Sequence, residues 1–157
     1  MSHVFVLLLS SKVTNQNRNL QPDKASQMTK LAARIAAAQT SIFKVVFPNT
    51  TNHYKTLFGG EALKMMDEVA FIAATRFSRK TMVTVSSSKV DFTMPIPADT
   101  IIEVQGAITR VGRTSVDVQV NIYKEEMYEE GRVLAVQGLF TMVAVDENKE
   151  PVPVIDV

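Results

Sequence analysis

The 157-residue sequence has no cysteine, no tryptophan, only two histidines, and six residues each of glycine and proline. Without cysteine there are no disulfides, thiolate metal sites or cysteine nucleophiles, and a reducing compartment is suited. His3 and His53 are too few and too far apart in the chain for a histidine metal centre, so no metal is expected. Excess charge is also lacking: 17 basic against 16 acidic residues leave a net charge of +1, which argues against nucleic acid as a partner. No apolar run approaches the ~20 residues needed to cross a bilayer. Residues 4–9 are apolar but short, and no positive charge precedes them as in a signal peptide. The reading is of a cytoplasmic protein with no membrane partner.

What is present is organised around residues 57–78, LFGGEALKMMDEVAFIAATRFS. Gly59 and Gly60 lead into Ala, Leu and Met, which are strong helix formers. Leu63, Met65, Met66, Val69, Ala70, Ile72 and Ala73 spread around most of a helix, and Glu61, Lys64, Glu68 and Thr75 make a narrow polar stripe. This predicts a buried helix. Asp67 falls off that stripe beside Leu63, Ala70 and Phe71, which leaves two readings, a satisfied buried acid or a working carboxylate.

The length suits one domain. Residues 1–27 are polar and aperiodic and read as a poorly ordered leader, with a single domain at 28–157. Residues 29–39 predict a short helix and 42–47 a first strand, stopped by Pro48. Residues 49–56 form a polar loop that carries Asn52 and His53 to the glycine pair. Four long segments rich in β-branched residues follow, at 83–92, 100–110, 114–123 and 132–145, joined by short turns into antiparallel hairpins. Strands longer than the usual five or so residues suggest a strongly curved sheet wrapped around the helix. Gly106 and Gly138, each mid-strand, would then be bends or bulges. The fold class is α+β: a long central helix wrapped by a curved antiparallel sheet of about five to six strands.

The segments Phe47-Pro48, Thr51-Asn52-His53-Tyr54, Thr56-Leu57-Phe58-Gly59-Gly60 and Met66-Asp67-Glu68 resemble the hotdog-fold acyl-CoA thioesterases of the cytosolic acyl-CoA hydrolase type. Val83-Thr84-Val85, Val90-Asp91-Phe92, Arg110-Val111-Gly112-Arg113-Thr114-Ser115 and residues 140–146 continue the match in the family's order. The resemblance implies that Asp67 acts as general base or nucleophile, that Asn52 is its companion, and that a backbone N–H at the Gly60 hinge polarises the thioester carbonyl. It also implies that CoA, part of the substrate and not a cofactor, runs near Arg113, Thr114 and Ser115. Arg79 and Lys80 are secondary candidates for its phosphates. Two positions depart from the pattern: Lys55 and Ala98 stand where glycine is common among relatives.

Thioester hydrolysis needs a donor for the developing oxyanion and a carboxylate at the carbonyl carbon. The first free N–H groups of the helix, at Gly60 and Glu61, suit the former, and Asp67 suits the latter if burial beside Phe71 makes it a better base. Asn52 could orient the attacking water. Gly60 and Asp67 lie seven residues apart and hence about 10 Å apart along one helix axis, so one carbonyl cannot easily meet both. A homodimer with composite active sites resolves this, with assembly to a hexamer, as a trimer of dimers, expected beyond it. Met65, Met66, Met82, Met94 and Met142 are candidates for an acyl tunnel or plain core. A non-catalytic acyl-CoA-binding hotdog protein is the alternative, and it would have no need of Asp67. A dehydratase would need a histidine and acid pair, for which His53 alone is a poor basis. Ser86-Ser87-Ser88 lacks a nucleophile-elbow context.

Overall fold

The computed structural model describes residues 21–156. In chain order these form α1 (Gln21–Ala38), β1 (Thr40–Val45), a 3-10 turn (Pro48–Thr50), α2 (Gly59–Ser78), β2 (Thr81–Phe92), β3 (Thr100–Val111), β4 (Ser115–Glu126) and β5 (Val133–Val145). One five-stranded antiparallel sheet runs β1-β3-β4-β5-β2, and α2 crosses one of its faces. The expected wrapped-helix arrangement is therefore present, with five strands. The predicted helix at 29–39 extends back to Gln21, so residues 21–27, read from sequence as leader, are helical. Residues 1–20 of that leader lie outside the described residues.

Strict alternation builds the core. Val116, Val118, Val120 and Ile122 of β4 point to one face and are fully buried, beneath Met66, Val69, Ala70 and Phe77 of α2. Gly106 pairs in continuous register with Thr40 and Val120 and is not a bulge, whereas Gly138, in register with Val120, stands opposite the β2 register shift between Ser88 and Asp91; another shift falls between Ile108 and Arg110. Their smallness serves close approach. A Cβ at Gly106 would stand 2.8 Å from Val69 Cγ1, and one at Gly138 2.9 Å from Met66 Cε, so the helix seats directly on the sheet.

The ends of the two helices satisfy each other. Arg34 of α1 donates to the carbonyls of Phe77 and Ser78 at the end of α2, at 2.5 and 3.2 Å. Arg76 of α2 donates to Ala37 and Gln39 at the end of α1, both at 2.7 Å. Each guanidinium meets otherwise unpaired terminal carbonyls at the negative end of a helix dipole. Arg79, in the left-handed conformation at φ 59°, closes α2 by donating its N–H to Thr75 O.

Candidate active site

The loop before α2 is a closed ring of hydrogen bonds centred on Asn52. Its main-chain N–H donates to Thr56 O at 2.8 Å, and its carbonyl accepts from Lys55 N at 2.9 Å. The side-chain oxygen, Oδ1, accepts from Tyr54 N at 2.9 Å, Thr56 N at 3.3 Å and Thr56 Oγ1 at 3.2 Å. Main-chain bonds from Leu57 N to Ile96 O and from Ala98 N to Lys55 O fasten this ring to the segment before β3. Lys55 adopts φ 61°, the left-handed region that glycine enters without penalty, which is the physical reason for a glycine preference there. At the other departure the left-handed residue is Asp99, at φ 63°, and not Ala98.

Asn52 and Thr56 line a cavity of about 340 Å³ together with Gly59, Phe92, Met94 and Ile96. Of the five methionines considered for a tunnel, Met94 lines this cavity while Met65, Met66, Met82 and Met142 are buried in the core. At the hinge, Glu61 N–H is already committed to Phe58 O at 2.9 Å, so it is not the free donor expected. Gly60 N–H has no partner among the described residues. A Cβ at Gly60 would stand 2.9 Å from Phe58 Cε1, which explains the second glycine of the pair.

Asp67 is exposed in the single protomer, contrary to the buried setting expected, and its neighbour Phe71 is 45% exposed. The helix carries a broader open stripe than the sequence pattern implied, because α1 and the sheet cover only its other sides; Leu63, Asp67 and Phe71 share that stripe with Lys64 and Glu68. Thr84 of β2 donates its hydroxyl to Asp67 Oδ1 at 2.7 Å. Sequence reasoning passed over Thr84. The available signal was period two: Met82 is buried towards α2, so Thr84 two residues on faces the same way.

The remaining predicted residues gather at the opposite end of the sheet around the C-terminal segment. Arg113 O accepts from Val154 N, and Thr114 O from Ala144 N, both at 2.9 Å, while Ser115 O closes the turn with Gly112 N. Lys80 Nζ is spent on Pro153 O at 2.8 Å and on Asp156 at 2.5 Å. Lys80 is thus a tail anchor and not a free phosphate ligand, whereas Arg79 and Arg113 are exposed. The structure therefore brings Asn52 to the Gly59-Gly60 hinge and Arg113 to the neighbourhood of Lys80, but leaves Asp67 partway along α2 with Thr84. Among the described residues no group of three or more His, Asp or Glu side chains could hold a metal ion. No helix among them is long and apolar enough to cross a membrane.

The sequence profile of the Thioesterase superfamily matches residues 54–130. A solved apo-hexameric acyl-CoA thioesterase superposes with a TM-score of 0.73 at 34% identity, covering 76% of each chain. The chain belongs to the thioesterase superfamily. Its five-stranded sheet around a central helix is the hotdog fold of its thioesterase neighbours. A relative from Bacillus subtilis (strain 168), described as an uncharacterized acyl-CoA thioester hydrolase, is 40% identical over 109 residues. That match covers 69% of this thioesterase-superfamily chain and 63% of the relative, so under two thirds of the relative's length is spanned. The acyl-CoA hydrolase of Staphylococcus aureus, solved with butyryl coenzyme A, coenzyme A and coenzyme A disulfide, is 31% identical with a TM-score of 0.74, over 78% of this chain and 75% of that one. The same hydrolase has been solved with an asparagine, an aspartate or a threonine replaced by alanine. Its aspartate follows the asparagine by 15 residues and its threonine follows the aspartate by 17. Asn52, Asp67 and Thr84 stand at the same two intervals.

Proposed function

We propose that this chain is an acyl-CoA thioester hydrolase, releasing a free carboxylic acid and CoA from a dimer with two composite sites. The observation that carries the reading is the Thr84–Asp67 hydrogen bond of 2.7 Å, at positions whose spacing from each other and from Asn52 matches three residues targeted in the Staphylococcus aureus hydrolase.

Each site combines Asn52 and Gly60 of one subunit with Asp67 and Thr84 of the other. The thioester oxygen lies against Gly60 N–H, at the positive end of the α2 dipole, and against Asn52 Nδ2, whose partner oxygen is already occupied in the loop. Asn52 is thus read as an N–H donor to the carbonyl. Thr84 holds one carboxylate oxygen of Asp67 and leaves the other for the reacting carbon. Asp67 takes a proton from the attacking water, or adds first as a nucleophile that water then releases. In either route the thiolate of CoA leaves and is protonated, so that water is divided between acid and thiol.

Dimerisation is supported by what the protomer leaves uncovered. Leu63 and Phe71 flank Asp67 on the open stripe of α2, edge strand β2 exposes Val85, and a second copy seated there supplies the dry surroundings the chemistry of Asp67 needs. The hexameric relative supports a trimer of such dimers. At the CoA end Arg113, Thr114 and Ser115, with Arg79, are the proposed phosphate contacts. A cysteine-free chain of this kind suits the cytoplasm.

The test is release of free thiol from acyl-CoAs of two carbons up to long chains. Wild type should turn over at least one class, and Asp67→Asn should lower kcat by ~10² or more while still binding CoA. No thiol release from any chain length would favour a non-catalytic acyl-CoA-binding protein, and an Asp67→Asn variant as fast as wild type would remove Asp67 from the mechanism.

A further inference from the structure

An amide oxygen has two lone pairs, and Asn52 Oδ1 already receives three donors from two residues, Tyr54 and Thr56. Turning that amide over would set its NH2 group against two main-chain N–H groups and a hydroxyl, so one orientation is locked. Its Nδ2 has no protein partner among the described residues, and Thr56, which supplies two of the three donors, lines the same cavity as Asn52. Thr56 is also tied across to Pro97 by an isolated antiparallel bridge, so the lock is referred to the rigid segment ahead of β3.

We propose that Thr56 is a positioning residue for the thioester reaction: its hydroxyl and N–H hold the Asn52 amide so that only N–H donors face the substrate carbonyl. This rests on the hydrolase reading above. Tyr54 N–H alone sets which way the amide points, but it leaves rotation about the side chain free; the Thr56 hydroxyl, on a β-branched side chain with few rotamers, fixes the remaining freedom. The predicted consequence is for transition-state stabilisation and not for binding of CoA, because charge grows on the carbonyl oxygen only as the reaction proceeds.

The variant that isolates the hydroxyl is Thr56→Val, which keeps the branched shape and both main-chain bonds. With butyryl-CoA it should lower kcat about three- to tenfold, the worth of one neutral hydrogen bond, while KM changes less than about twofold. Thr56→Ser, which keeps the hydroxyl, should restore most of the loss. In an Asn52→Ala background Thr56→Val should cost nothing further, since its effect passes through the Asn52 amide. Calorimetry with a non-hydrolysable ketone analogue of butyryl-CoA gives a second readout: Thr56→Val should bind the analogue and CoA itself within about twofold of wild type, because neither carries the charge of the transition state, and a larger loss of analogue affinity would overturn the proposal. Wild-type kcat in Thr56→Val, no rescue by Ser, or an equal loss in the Asn52→Ala background would each overturn the proposal. If wild type binds the analogue but releases no thiol from acyl-CoAs of any chain length, the hydrolase reading fails, whereas wild-type turnover with kcat unchanged in Thr56→Val sinks the positioning role alone.

Discussion

Lys55 holds a left-handed backbone at φ 61° in the turn that carries Asn52, and this costs an L-residue with a Cβ roughly 1–2 kcal/mol. Lys55→Gly relieves that strain but loosens the unfolded chain, so a net gain of about 0.5 kcal/mol is expected in thermal unfolding. A loss of stability would show that the lysine side chain supports the turn. Gly60 carries the opposite constraint. Gly60→Ala places a methyl 2.9 Å from the Phe58 ring, which must swing aside next to the free N–H. The expected outcome is a fall in kcat of about tenfold with little change in melting temperature, measured on purified variant. The candidate positions were legible in the sequence, because an asparagine, a glycine pair and an aspartate in that order are informative residues. The direction of the Asn52 amide was not, since it depends on donors from Tyr54 and Thr56 that only the closed loop brings within reach.

Between elements, the decisive contact is α2 on β3 and β5. Gly106→Ala would push a methyl to 2.8 Å from Val69 Cγ1 and 3.4 Å from its main-chain oxygen, so the helix must lift from the sheet. A destabilisation of about 1–3 kcal/mol is expected, read as a lower urea midpoint with unchanged slope. On the other face of the sheet, the register shift between Ile108 and Arg110 sets Arg110 opposite Asp117, where its guanidinium donates to both carboxylate oxygens at 2.5 and 3.0 Å. That bond, aided by the Thr141 hydroxyl and opposed by partial burial, holds the Asp117 carboxyl below its ordinary value. The folded pKa lies below the unfolded value of about 4, so the stabilisation is complete above that pH and is lost as pH falls through the lower folded value. The melting-temperature gap between wild type and Asp117→Asn should therefore be full at about pH 6 and shrink as pH falls below the unfolded value of about 4. The sequence suggested strands here and placed irregularities at Gly106 and Gly138; a β2 shift does lie opposite Gly138, but the one between Ile108 and Arg110 falls among residues whose types carry no bulge signal.

For the whole molecule, the proposed composite site makes a prediction that no single-chain site shares. Asn52→Asp keeps an acceptor for the loop donors while removing the amide N–H groups, and Asp67→Asn removes the base; each alone should be nearly inactive. Refolded together in equal amounts, they should regain about a quarter of wild-type activity, because half the dimers are mixed and each mixed dimer has one site with both residues intact. Sites confined to one chain would regain none. The sequence by itself determined the wrapped-helix fold and the helix that opens at Gly59-Gly60, because periodicity and glycine placement are local properties of the chain, and its resemblance to a family offered Asn52 and Asp67 as candidates. Only the tertiary structure decided that Asp67 is open to solvent in one protomer, that Thr84 holds it, that Thr56 holds Asn52, and that Lys80 belongs to the tail. Each of these is set by groups 4 to 76 residues apart in sequence, meeting only where strands, loop and tail have packed.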